Sequence, residues 1–127
     1  MRILVIDDHP LVADALRRML EHDGHRVSIA LGGREGLDIV RTACSSEEEF
    51  DVVVADYNMP DLDGLMVAAA VKKIVSPPAV VLITASAVDA SETPPAHVDA
   101  MLTKQDLYGL RTILARIATL KAPDSAH

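Results

Sequence analysis

The sequence points to a doubly wound α/β fold, a five-stranded parallel sheet in the order 2-1-3-4-5 with helices on both faces. Short runs of consecutive apolar residues, Ile3 to Ile6, Val52 to Ala55 and Ala79 to Ile83, suit strands covered on both sides, as in parallel sheets. Segments of helical spacing separate these runs, and strand–helix alternation builds a parallel sheet with right-handed crossovers. Four of the strands also end in polar residues: Asp7 and Asp8, Asp56, Thr84 and Lys104. In a parallel sheet all these ends lie on one edge.

The first strand is read over residues 2–7. Pro10 then suits the start of a helix, and Leu11, Val12, Ala15, Leu16, Met19 and Leu20 follow at the spacing of one helical face. Gly24 stops it. Residues 25–30 alternate as an edge strand does. Gly32 and Gly33 break the chain, and Leu37, Val40 and Cys44 mark a second helical stripe, ended by the polar loop Ser45 to Glu49. The stretch from Asp51 to Gly64, DVVVADYNMPDLDG, is the third strand and its loop. An Ala/Val/Lys-rich helix to Val75 follows and is closed by Pro77 and Pro78.

The fourth strand runs from Ala79 to Ile83. Residues 86–97 contain Pro94 and Pro95, which no long helix accommodates, so a short or irregular helix is expected there. Val98 to Thr103 form the fifth strand. Asp106 is a helix cap, and Leu107, Leu110, Ile113, Leu114, Ile117 and Leu120 form an amphipathic stripe. Residues 1–120 are expected to be the domain, and 121–127 (KAPDSAH) have linker composition. There is no internal repeat.

Composition narrows the function. The chain has 127 residues, 50% of them hydrophobic, and only Phe50, Tyr57 and Tyr108 are aromatic. That length is one domain with a core of aliphatic residues. A formal charge of -7 argues against this segment gripping nucleic acid, which requires neutralised phosphates, and suits a divalent cation. One cysteine, Cys44, excludes an internal disulfide and a cysteine-based zinc site. No run reaches membrane-spanning length and the first residues are unlike a signal peptide, so a cytoplasmic protein is expected.

The order 2-1-3-4-5 puts the first and third strands side by side at the switch point, where open α/β sheets bind ligands. Asp7, Asp8 and Asp56 would crowd there, flanked by Thr84 and Lys104. Three carboxylates in one pocket repel one another, and one lysine cannot neutralise them; bound Mg²⁺ resolves this. A carboxylate can also act as a nucleophile toward phosphorus, needing mainly charge stabilisation of the phosphoryl oxygens. Singly, each residue has a plain reading: Asp56 as a turn residue, Lys104 as a solvated lysine, Thr84 as a strand-end hydroxyl. His9 is read as a surface histidine flanking the acids, and Asp61 and Asp63 as turn and capping residues.

Taken together, Asp7-Asp8, the DYNMPDLDG loop with Asp56, Thr84-Ala85 and Lys104 resemble the receiver domain of two-component response regulators, from the first strand to the last helix. The resemblance implies a flavodoxin-like fold with Asp56 as phosphoacceptor for a histidine kinase or phosphotransfer protein. It implies direct Mg²⁺ ligation by Asp8, Asp56 and the backbone carbonyl of Asn58, with Asp7 acting through a metal-bound water. Thr84 and Lys104 would hold the phosphoryl group. Thr84 and Met101 occupy the switch positions, and Asn58 and Ser86 those that tune the phosphoryl lifetime. The implied partners also include a C-terminal effector domain or output protein and a phosphorylation-dependent dimer. Met101 stands where the family usually has Tyr or Phe, and Gln105 replaces the proline after Lys104. Two rivals remain: a pseudo-receiver that only binds protein, and an aspartyl-phosphate phosphatase. The phosphatase would need an acid two residues after the nucleophile, where this chain has Asn58.

Overall fold

The computed structural model describes residues 1–44, 48–85 and 94–121. Strands β1 (Arg2–Ile6), β2 (Arg26–Ala30), β3 (Val52–Asp56), β4 (Ala79–Thr84) and β5 (Ala100–Thr103) form one sheet in the order β2-β1-β3-β4-β5, every pairing parallel. The helices are α1 (Pro10–His22), α2 (Gly33–Cys44), α3 (Gly64–Val71) and α4 (Leu107–Lys121). The expected sheet order therefore holds. Strand and helix bounds move by a few residues, most at α3, which gives way after Val71 to turns closed by Lys72 N–H to Ala68 O and Ile74 N–H to Val71 O.

Alternation along the strands sorts side chains into two cores. Leu4, Ile6, Val53, Ala55, Val80, Leu82 and Met101 face Leu37 and Val40 of α2 and Val67, Ala68 and Val71 of α3. Ile3, Val5, Val52, Val54, Val81 and Ile83 face Ala13, Leu16 and Leu20 of α1 and Leu110, Leu114 and Ile117 of α4. Each fully buried Val, Leu or Ile contributes about 1.5–3 kcal/mol relative to exposure. These central strands are covered on both sides, so apart from Arg2 at the start of β1 they carry no polar residue before their C-terminal ends.

The α1 stripe is rotated from its expected position. Ala13, Leu16 and Leu20 are buried, whereas Leu11 is 86% exposed and Ala15 also faces out. In α4 likewise Leu110, Leu114 and Ile117 are buried while Leu107 and Leu120 stand exposed. Between β4 and β5, residues 86–93 of the expected short or irregular helix lie outside the described residues, and 94–99 hold a turn without helix. The tail from 122 lies outside them too.

Capping fixes the loops around the acidic edge. Asp63 is the N-cap of α3 and accepts from Met66 N–H at 2.8 Å; Asp106 caps α4, accepting from Gly109 N–H at 2.8 Å. Asp61 caps a different helix from the one its loop enters. It accepts from Gly33 N–H at 3.1 Å and Arg34 N–H at 3.0 Å, at the start of α2. Bonds from the backbone N–H groups of Arg34, Leu62 and Gly33 lower its pKa to about 2.

Because that pKa is depressed, the stabilisation it represents is complete above the ordinary carboxylate value of 3.8 and is lost as pH falls through about 2. Asp61→Ala is expected to destabilise the domain by about 0.5–1 kcal/mol at pH 7, at the low end for a cap because the carboxylate is exposed. Urea unfolding of both proteins at pH 7 and pH 2 checks this, the gap narrowing at the lower pH.

Candidate functional site

Strand register places the acids. Ile6 pairs with Ala55 across β1 and β3, so the next residues, Asp7 and Asp56, leave the sheet level with each other. Asp7 N–H is held by Ala30 O at 3.0 Å and Tyr57 N–H by Ile83 O at 2.8 Å, which extends the sheet one residue past each strand. Alternation sends the Asp56 side chain to the face of Val52 and Val54, toward α1 and α4. The backbone behind it is tight. A Cβ on Gly64 would lie 2.8 Å from Asp56 O and 3.0 Å from Tyr57 Cα, so only glycine lets α3 begin there.

Asp7 and Asp56 are 2% and 3% exposed, burial rarely tolerated in carboxylates without partners. Lys104 Nζ lies 3.2 Å from Asp56 Oδ2 and 3.7 Å from Asp7 Oδ2. Asn58 N–H donates to Asp56 Oδ1 at 3.2 Å. Thr84, fully buried, ends β4 beside Thr103, and its carbonyl accepts from Lys104 N–H at 2.9 Å, which ties the Thr84 and Lys104 backbones together. By alternation Thr84 shares the α2/α3 face with Leu82, which pairs with Met101. Met101, expected from the sequence to occupy a switch position, is itself buried in that core. Gln105 follows Lys104 without a cis bond, none occurring among the described residues.

The structure thus brings Asp7, Asp8, Asp56 and Lys104 together and puts Thr84 and Asn58 at their margin. Ser86 lies outside the described residues. His9, read from the sequence as a surface histidine flanking the acids, lies beside this group. Its ring is 61% exposed, yet Nδ1 lies 3.1 Å from Asp7 Oδ1, 3.2 Å from Asp8 Oδ1 and 3.8 Å from Asp56 Oδ2. The signal for it was position alone, next to an acid pair at a strand end.

The electrostatics leave negative charge in excess. Burial raises the Asp56 pKa, the nearby Asp7 carboxylate raises it further, and the Asn58 N–H and the Lys104 ammonium pull it back without cancelling the rise. One donor atom from each of Asp7, Asp8, His9 and Asp56 can be chosen so that all lie within 4.8 Å of one another. Asp8 Oδ1 is buried with no hydrogen-bond partner. His9 Nδ1 approaches it to 3.2 Å without hydrogen-bond geometry and bonds Asp7 instead. A buried, unpartnered carboxylate oxygen facing other carboxylates is satisfied by a hard cation. The donor set fits one and can hold a metal ion.

Comparison with known proteins agrees with this geometry. The family model for the response regulator receiver domain matches residues 3–117, and the chain belongs to that family. Response regulator MprA of Mycobacterium sp. (strain KMS) is 33% identical over 134 residues, covering 98% of this chain and 55% of that protein. A response regulator receiver domain from Clostridium thermocellum has a TM-score of 0.82 at 30% identity, covering 94% of this chain and 95% of that one. TrrA, a response regulator from Thermotoga maritima solved in complex with Mg(2+)-BeF, has a TM-score of 0.79 at 26% identity over 91% of this chain and 97% of that one. A structure of TrrA with histidine kinase ThkA matches with a TM-score of 0.76, at the same identity and coverage. The chain spans 8 to 55% of the length of the curated relatives compared with it. It is a response regulator receiver domain with an acidic pocket of Asp7, Asp8 and Asp56. No helix among the described residues is long and apolar enough to cross a membrane.

The raised Asp56 pKa has a definite sign in stability. Above its folded pKa the ionised carboxylate destabilises the folded state, and the penalty vanishes as pH falls toward 3.8. In EDTA at pH 7, Asp56→Asn is expected to stabilise the domain by on the order of 1 kcal/mol. Thermal unfolding between pH 7 and pH 4 checks it: the advantage of the variant shrinks as pH is lowered.

Proposed function

We propose that this chain is a phosphoacceptor that takes a phosphoryl group from a histidine kinase onto Asp56 in a Mg²⁺-dependent reaction and changes conformation to control an output. The observation that carries this is the 3.2 Å approach of Lys104 Nζ to Asp56 Oδ2 inside a cluster with Asp7 and Asp8. An unactivated buried aspartate would be paired by one cation and surrounded by neutral groups. Here the cation is outnumbered, and the excess charge suits a Mg²⁺ held by Asp8, Asp56 and the Asn58 carbonyl, with Asp7 reached through a water. That ion supplies charge neutralisation for the carboxylates and the incoming phosphoryl oxygens.

The chain's own groups account for the transfer. One Asp56 oxygen bonds to phosphorus as the phosphorus–nitrogen bond of the donor phosphohistidine breaks, and the leaving imidazole keeps the electron pair and takes a proton from solvent. The Lys104 ammonium holds one phosphoryl oxygen and the Thr84 hydroxyl another. Asn58 borders the site, and by the family resemblance Asn58 and Ser86 tune the lifetime of the acyl phosphate. Thr84 and Met101 lie on the α2/α3 face, so movement of Thr84 toward the phosphoryl group opens space beside Leu82, into which the flexible Met101 repacks. The chain assists its own phosphotransfer and dephosphorylation and turns over no separate substrate. It works in the cytoplasm, and its output is a C-terminal effector domain, a separate protein or a phosphorylation-dependent dimer.

The donor docks on the groove between α1 and α4. This groove, about 510 Å³, is lined by Leu11, Val12, Ala15, Met19, Leu107 and Arg111, with Lys104 at its head. Leu11 is 86% and Tyr108 83% exposed, a mostly apolar surface beside the reacting carboxylate.

Incubation with Mg²⁺ and acetyl phosphate or phosphoramidate, followed by intact mass measurement, is expected to add one phosphoryl group, absent in Asp56→Asn and in EDTA. No addition to the wild-type chain leaves the pseudo-receiver reading, and steady turnover of unrelated phosphate esters the phosphatase. Leu11→Glu is expected to slow transfer from a phosphorylated kinase at least about fivefold, as for loss of an apolar docking anchor, with labelling by acetyl phosphate unchanged. Stopped transfer assays with both donors distinguish docking from chemistry.

A further inference from the structure

His9 occupies the N-cap position of α1 but does not cap it: its side chain makes no bond to the helix N–H groups. Ser, Thr, Asp or Asn usually fill that place. Pro10 at the start of the helix removes one N–H that a cap would have served. The imidazole is thereby released from helix duty, and it turns toward the carboxylates. Its direction is set twice. His9 N–H donates to Asp7 Oδ1 at 2.9 Å, and the ring Nδ1 lies 3.1 Å from the same oxygen.

The spacing of this nitrogen is that of a ligand. Donors about 2.1 Å from an octahedral ion stand roughly 3.0 Å apart when adjacent and about 4.2 Å apart when opposite. His9 Nδ1 lies 3.1, 3.2 and 3.8 Å from oxygens of Asp7, Asp8 and Asp56. The approach to Asp7 is a hydrogen bond, whereas the 3.2 Å to Asp8 Oδ1 is close to the adjacent-ligand spacing and Asp56 Oδ2, the other carboxylate of the direct ligand set, lies within 3.8 Å. Asp8 Oδ1, one of those three oxygens, is buried and has no hydrogen-bond partner of its own.

We propose that His9 is a nitrogen ligand of this acidic metal site, giving the domain a higher affinity for Zn²⁺ and neighbouring late transition ions than an all-oxygen site has. The inference rests on the metal site of the proposed function and adds a donor to it. Carboxylates and carbonyls suit Mg²⁺, whereas imidazole favours zinc and its neighbours in the series. On binding, Nδ1 gives its proton to solvent and presents its lone pair to the ion, and the ring carries its remaining hydrogen on Nε2. A transition ion held this way sits against Asp56 and competes with Mg²⁺ for the phosphoacceptor.

Mn²⁺ bound to the full chain provides the test through three-pulse electron spin-echo modulation, which detects a directly coordinated ¹⁴N. The expected result is an imidazole ¹⁴N modulation that changes to the ¹⁵N pattern with ¹⁵N-histidine labelling and disappears in His9→Gln. Calorimetry is expected to show Zn²⁺ affinity falling about tenfold or more in His9→Gln while Mg²⁺ affinity changes less than about twofold. Bound Mn²⁺ without nitrogen modulation overturns the role of His9 and leaves the acidic metal site standing. Absence of Mn²⁺ binding to wild-type protein, with Asp8→Asn no different, overturns both. The isotope experiment needs no variant, so a folding defect in His9→Gln does not obscure the outcome.

Discussion

Like charges do not share a dry pocket unless the fold holds them there. At the C-terminal edge of this sheet Asp7 and Asp56 emerge side by side from adjacent strands, with Asp8 beside them and one lysine to answer three acids. Nearly every local feature of that edge follows from keeping them in place. The two cores clamp β1 and β3 on both faces, so the strand ends cannot splay to relieve the repulsion. Gly64 admits α3 against the Asp56 backbone, and the bond from Lys104 N–H to Thr84 O brings the compensating ammonium within reach. The stability of the domain and the reactivity of its edge are thus opposed, and the core outweighs the repulsion.

The sheet divides the site into two functions by parity alone. Asp56 faces the α1/α4 side and Thr84 the α2/α3 side, one residue further along the next strand. In the proposed function the donor approaches over α1, and a movement of Thr84 is felt in the opposite core, among Leu82 and Met101. Met101 replaces an aromatic at a position where the family usually moves a ring between inside and outside. Its place here is inside, filling the core as an ordinary aliphatic side chain would.

Much of this was legible in the chain. The parallel sheet and the shared edge of Asp7, Asp8, Asp56 and Lys104 follow from apolar runs that all end in polar residues, a pattern that survives errors of a residue or two at the boundaries, whereas the strand order comes with the family resemblance. The face of α1 was less so. Leu11 and Ala15 belong by spacing to the same stripe as Leu16 and Leu20, and spacing does not say whether a neighbour exists to cover them. Ala13, small and set between Val12 and Asp14, is wholly buried where α1 meets the sheet. Asp61 reads as a turn residue because its partners, Gly33 and Arg34, lie 28 and 27 residues away. His9 reads as a surface histidine flanking the acids, and its approach to their oxygens follows from a ring that does not cap α1.

Asp61 has a mechanical meaning beyond capping. Its two oxygens grip the start of α2 while its backbone belongs to the loop that leaves Asp56, which yokes two successive loops across the switch point of the sheet. A force applied to the β3–α3 loop is therefore shared with α2 through a pair of hydrogen bonds of about 3 Å. The acidic edge behaves as a single plate on that side.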